Sequence, residues 1–176
     1  ILHARKGMTI TYLSEEWFER IKIILDEAAH LDMYVIIYDE DNWPSGYAGG
    51  RVIKENTDYA AKCLSMEKII PLVGEKLEIA EVPGKELVSV TAVYHNERFV
   101  DITDYEKHCV KDWIPETLQW EVYVTRMEQC EHTPAYSNEP YVDLLNKDAV
   151  QTFIKHTHLE YKKRFPEHWG STIKGF

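Results

Sequence analysis

From Met33 to Tyr38 the chain reads Met-Tyr-Val-Ile-Ile-Tyr, apolar at both alternating positions. A strand apolar on both faces needs cover on both, as parallel strands receive from flanking helices. The preceding segment fits that use. Ser14 stands before Glu15 and Glu16, and Trp17, Phe18, Ile21, Ile24, Leu25 and Ala28 recur at helical spacing. A serine caps free backbone N–H groups and the two carboxylates oppose the positive helix end, so a helix over residues 15–30 is predicted. Helix, the short Leu31-Asp32 link and strand together make an αβ unit, the repeating element of barrels and doubly wound sheets.

The strand gives way to Asp39-Glu40-Asp41-Asn42-Trp43-Pro44-Ser45-Gly46-Tyr47-Ala48-Gly49-Gly50. Residues 51–66 read as a helix with Ala60, Ala61 and Leu64 on one side. From residue 67 the period shortens to two, giving short strands over 69–73, 77–80, 87–94 and 98–102, with His95-Asn96-Glu97 as a hairpin turn. Residues 118–126 follow as a strand expected to return to the parallel sheet. Asn146 then caps a helix carrying Val150, Phe153, Ile154, Thr157 and Tyr161, and Thr172 to Phe176 opens a further strand. The expected organisation is one α/β body of residues 1–66 and 119–176, interrupted by an antiparallel β-rich insertion over 67–118.

Charge and motifs remove several function classes. Acidic residues outnumber basic ones 30 to 20, which leaves no basic face for nucleic acid or for an anionic membrane surface. No apolar run approaches the roughly 20 residues that span a bilayer, so a soluble chain is expected. Cys63, Cys109 and Cys130 show neither CxxC nor regular spacing, favouring a reducing, cytoplasmic compartment over a disulfide framework or a zinc site. Gly46 to Gly50 matches neither a dinucleotide fingerprint nor a P-loop, and HExxH does not occur. His156 and His158, two apart on the late helix, point to different faces, and Cys130-Glu131-His132 reads as loop. The chain opens Ile-Leu-His without an initiator Met and closes on a strand-like segment. It is therefore expected to be an excerpt that sits beside the rest of a longer chain or another copy.

Asp39, Glu40 and Asp41 carry the chemistry. Three like charges at the end of a buried strand raise at least one pKa, the arrangement that lets one carboxyl be protonated while another is ionised, so Asp39 and Glu40 are candidate catalytic carboxylates. The position reinforces this, since α/β folds bind ligands at the carboxyl ends of their strands. Structural alternatives stand beside it: the carboxylates cap the following loop, pair with Arg5 and Arg126, or hold a cation such as calcium, although nothing in the sequence requires a cofactor. Trp43 and Tyr47 offer flat faces for the C–H face of a sugar, or pack the loop. His3 and Arg5, two apart and on one side if extended, are candidate donors to a substrate hydroxyl. Asp41, Asn42 and Arg126 complete the candidate substrate-binding set.

The stretch Tyr38 to Gly50 resembles a segment of bacterial α-L-rhamnosidase-like glycoside hydrolases built on a (β/α)8 (TIM) barrel. His3-Ala4-Arg5-Lys6-Gly7-Met8, Tyr12-Leu13-Ser14 and Val142-Asp143-Leu144-Leu145-Asn146 fit the same resemblance in the same order. It covers residues 1–66 and 119–176. It implies part of a (β/α)8 barrel with about three barrel strands, and an enzyme removing a terminal deoxyhexose or related sugar from a glycan. In the family, a segment like Ile173 to Phe176 leads into a Phe-Thr-Asp-Glu-Pro-like motif with a catalytic acid, which would place the second carboxylate beyond Phe176. Two carboxyls flank the scissile bond in such enzymes, and their separation decides inversion or retention. The competing expectation is a carbohydrate-binding protein without catalysis.

Overall fold

The structure, a computed structural model, describes residues 1–5, 7–130 and 140–176. In chain order the elements are α1 (Glu15–His30), β1 (Val35–Ile36), α2 (Arg51–Glu55), a 3-10 turn (Thr57–Tyr59), β2 (Lys62–Ile69), β3 (Lys85–Tyr94) and β4 (Arg98–Asp101). They continue with β5 (Thr103–Asp104), β6 (Cys109–Val110), β7 (Trp120–Gln129), α3 (Lys147–His156), α4 (His158–Arg164) and β8 (Ile173–Gly175). The chain divides into two units, Ile1–Ala61 with Glu131–Phe176, and Lys62–Cys130.

In the first unit, α1 begins where its sequence says it should. The Ser14 side chain accepts the Trp17 N–H, and Glu15 and Glu16 occupy the first turn. One face of α1 buries Trp17, Phe18, Ile21, Leu25 and Ala28 among Val35, Ile37, Tyr161, Phe165 and Ile173. Each large side chain so buried contributes about 1.5–3 kcal/mol. The Trp17 indole N–H donates to Tyr161 Oη at 2.8 Å, which satisfies a polar atom that burial would otherwise orphan. Ile24, expected on this face, is 41% exposed because its position falls beside the stripe.

β1 and β8 pair in parallel, Val35 with Ile173 and Ile36 with Gly175. On the other side of β1, the Leu2 N–H donates to Ile36 O at 2.8 Å and the Tyr38 N–H donates to Leu2 O at 2.7 Å. Three chain segments therefore run in the same direction, and their carboxyl ends deliver His3 to Arg5, Tyr38 to Asp41, and Phe176 to one edge. A smaller core joins Tyr47, Ala48 and Val52 to Val142, Ala149 and Phe153. The late helix is broken at Thr157, whose φ of −112° and ψ of −89° leave the helical region. Its hydroxyl donates to Phe153 O at 2.7 Å.

In the second unit the sheet order is β2-β7-β3-β4, antiparallel throughout. Val90, Ala92, Val122 and Val124 come from the two central strands and pack with Leu77 and Ile102. The β3–β4 hairpin turns through His95 and Asn96 at positive φ, 51° and 59°, as the predicted turn at residues 95–97 requires.

Several expectations are corrected here. The fold is a small mixed α/β structure with a four-stranded antiparallel sheet, not a part of a (β/α)8 barrel with strands and helices in alternation. Residues 120–129 do not return to the parallel sheet. They lie between β2 and β3, because an alternating pattern marks a half-buried strand without saying which sheet it joins. The helix expected over 51–66 stops at Glu55. Asn56, at φ −153°, leaves the helix and its side chain accepts the Asp58 N–H, and residues 62–66 belong to an edge strand on which Leu64, expected on a helix face, is 65% exposed. Met33 and Tyr34 are 58% and 68% exposed, so the apolar run is not covered on both faces. Among the described residues no helix is long and apolar enough to cross a membrane. Glu131 and His132 lie outside the described residues, as does Lys6.

Candidate functional site

Glu40 is fully buried, and its carboxylate organises the loop that follows β1. Oε1 accepts the N–H groups of Asp41 at 3.0 Å and Gly49 at 2.9 Å, while Oε2 accepts those of Tyr47 at 2.8 Å and Ala48 at 2.6 Å. Four backbone donors that the turn would otherwise leave unsatisfied converge on one side chain. Backbone bonds favour the charged form, and burial disfavours it. Burial is the larger effect, and a side-chain hydrogen bond to Asp41 adds to it, so the Glu40 carboxyl is pushed up to about 7. Gly49 and Gly50 take positive φ, 58° and 86°, which curls the chain back over the carboxylate.

Asp39 sits one residue earlier, on the other side of the strand, and is half-buried. It accepts from the Ser45 hydroxyl, and its Oδ2 lies 3.3 Å from His158 Nε2. The His158 ring packs on Phe176 at a centroid separation of 4.2 Å, and its Nδ1 lies 2.9 Å from Thr157 Oγ1. Burial pushes the His158 imidazole down, against the upward pull of Asp39, which favours the neutral ring. His158 thus joins Asp39 through the break in the late helix. Its partner His156 points away, to Glu55 at 2.6 Å.

Asp41 shares a side-chain hydrogen bond with Glu40. With Arg5, Asn42, Thr11 and Tyr12 it lines a cavity of about 290 Å³. Trp43 follows at 72% exposed, joined to Pro44 by a cis peptide bond. Tyr12 forms part of the floor. Its phenol is raised by burial, then by Tyr161, Glu40, Asp39 and Asp41, and remains neutral; among the described residues no hydrogen-bond partner reaches its Oη. Arg51 ties the floor to the loop, donating to Tyr12 O at 2.9 Å and Ala48 O at 3.2 Å. The loop's outer side is held by Tyr141, whose hydroxyl donates to Ser45 O.

Arg5, Asp41 and Asn42 therefore line one cavity, and Asp39 and Glu40 stand behind it on the same loop. His3 lies at the same strand edge, its exposed ring 4.2 Å from that of Tyr38. Tyr47 is 5% exposed and gives its N–H to Glu40, so its ring packs the loop. Arg126 belongs to the second unit, where its guanidinium meets Glu67 at 3.1 Å and Ala80 O at 3.2 Å. Among the described residues no group of three or more His, Cys, Asp or Glu side chains is placed to hold a metal ion. Sequence reasoning missed His158 and Arg51. Their pairing across the fold leaves no local pattern, although a histidine two residues from another on a helix signals that the two serve different faces. No family model, curated protein or solved structure matches this chain.

Proposed function

We propose that this chain binds carbohydrate in the cavity between Arg5 and Asp41, as part of a glycoside hydrolase acting on a terminal deoxyhexose or related sugar. The observation that carries this reading is the gathering of Arg5, Asp41 and Asn42 around one open cavity of about 290 Å³. That size lies near the lower end of ligand sites, about 300 Å³, and suits a single sugar ring. A guanidinium, a carboxylate and an amide give donors and acceptors for vicinal hydroxyls, and the exposed Trp43, next to Asn42 in the chain, offers a face for the sugar's C–H groups. Asp41 is the carboxyl that lines this cavity, and Asp39, with His158 at 3.3 Å, is the second candidate catalytic carboxyl of the loop.

A non-catalytic sugar-binding role is the second reading, and a specific observation favours it. Both oxygens of Glu40 are committed to loop N–H groups, so this carboxyl serves the scaffold and leaves Asp39 and Asp41 as the remaining acids of the loop. Incubation with 4-nitrophenyl α-L-rhamnoside, α-L-fucoside and β-D-glucoside, alongside calorimetric titration of the free sugars, separates the two. Turnover that falls at least tenfold in Asp39→Asn supports the hydrolase, and saturable binding without turnover supports the binder. Neither binding nor turnover removes carbohydrate from consideration.

A further inference from the structure

Cys63 is the second residue of β2, and Cys130 directly follows the last residue of β7. The register of this antiparallel pair sets Lys62 opposite Gln129 and Cys63 opposite Glu128. Two residues along a strand return to the same face, so Cys130 shares the face of Glu128 and is the diagonal neighbour of Cys63. The Cα separation of such a diagonal, roughly 7–8 Å, lies just beyond the range a disulfide usually spans, so closure draws the Cys130 backbone inward. Cys130 stands one residue past the final ladder pair, so drawing it inward breaks no rung of the sheet. Cys63 is exposed and Cys130 half-exposed, which admits a small oxidant. Burial, with the neighbouring Cys63 thiol, pushes the Cys130 thiol up. Cys109 belongs to β6, paired with Asp104.

We propose that Cys63 and Cys130 form a reversible disulfide that closes the base of the Lys62–Cys130 unit, with a small-molecule disulfide such as oxidised glutathione as oxidant. The Cys63 thiolate attacks one sulfur of the oxidant, forming a mixed disulfide and expelling a glutathione thiolate. The Cys130 thiolate then attacks Cys63 Sγ, forming the protein disulfide and expelling the second thiolate. Two protein thiols and one disulfide oxidant become one protein disulfide and two glutathione thiols, and the two protons leave with the products. The exposed thiol is the first attacker, because the raised Cys130 thiol supplies less thiolate. The bond encloses the chain from β2 to β7, and so restricts the unfolded unit far more than the folded one.

The test equilibrates the full chain in buffers of graded reduced-to-oxidised glutathione ratio, then counts free thiols and maps linked peptides by mass. The expected result is a fall from three free thiols to one, with Cys63 joined to Cys130, Cys109 unmodified, and full recovery in excess reduced glutathione. Cys63→Ser and Cys130→Ser should each abolish the cross-link. The oxidised protein should also unfold at a higher urea concentration than the reduced one. Three free thiols at the most oxidising ratio, a stable glutathione adduct at Cys63 alone, or a cross-link through Cys109 would overturn the proposal. Equal urea midpoints for the two forms would overturn closure of the unit.

Discussion

Glu40→Gln sets burial of a carboxylate against four N–H donors, and pH reads out which effect wins. The Glu40 carboxyl is raised from 4.5 to about 7 in the folded chain, with burial the larger cause. A carboxyl whose folded pKa lies above its unfolded one binds more protons when folded. The associated stability is fully present below pH 4.5 and is lost as pH rises through 7. A shift of this size corresponds to about 3 kcal/mol. Glutamine cannot ionise, so this dependence disappears in the variant. The amide keeps one oxygen for two of the four N–H groups and turns its NH2 toward the other two, each costing about 1–3 kcal/mol. Near pH 8 this cost is largely offset by removal of the buried charge. Near pH 4 it stands unopposed. Urea unfolding of both proteins from pH 4 to pH 8 should give a stability difference, wild type minus variant, that shrinks by about 3 kcal/mol as pH rises. Groups common to both proteins cancel. A difference that stays flat would refute the raised pKa, and one that grows with pH would mean that the N–H donors, not burial, set the charge state.

Two further substitutions probe the same loop. Gly46→Ala would place its Cβ 2.7 Å from Leu144 Cδ2 and 3.0 Å from Tyr141 Oη at φ +130°, so it should lower unfolding free energy by about 2–4 kcal/mol; wild-type stability in urea would contradict this packing. Tyr12→Phe removes a buried hydroxyl that no described residue meets, and should leave stability unchanged or raised by about 1 kcal/mol, whereas a loss above roughly 2 kcal/mol in a thermal melt would reveal a bond at that oxygen.

What the sequence shows of this structure divides by range. The α1 start is legible because cap, first-turn charges and apolar stripe all lie within fifteen residues of Ser14, and the hairpin at His95-Asn96 because the turn is local. The partnership of Trp120–Gln129 is not, since its alternating pattern serves equally in either sheet and only the β2 and β3 registers decide. The candidate site follows the same rule. The cluster Asp39-Glu40-Asp41 is visible as a run of charge, and its position past β1 as the end of an apolar segment. The separate duties of the three acids depend on N–H groups seven to nine residues downstream of Glu40, on His158 for Asp39, and on the cavity that Asp41 lines together with Arg5. Side-chain-to-backbone bonds leave no residue type to recognise at the donor, beyond the glycines that let the chain curl back.

Sugar recognition at the Arg5–Asp41 cavity is tested most directly by following backbone amide resonances of the full chain during titration with L-rhamnose, L-fucose and D-glucose, in wild type and in Asp41→Asn. The account predicts saturable shifts confined to Arg5, residues 11–12 and 41–43 for at least one sugar, weakened tenfold or more in the variant, about 1.4 kcal/mol. Shifts that never saturate for any sugar, or that map to the Lys62–Cys130 unit, would contradict it.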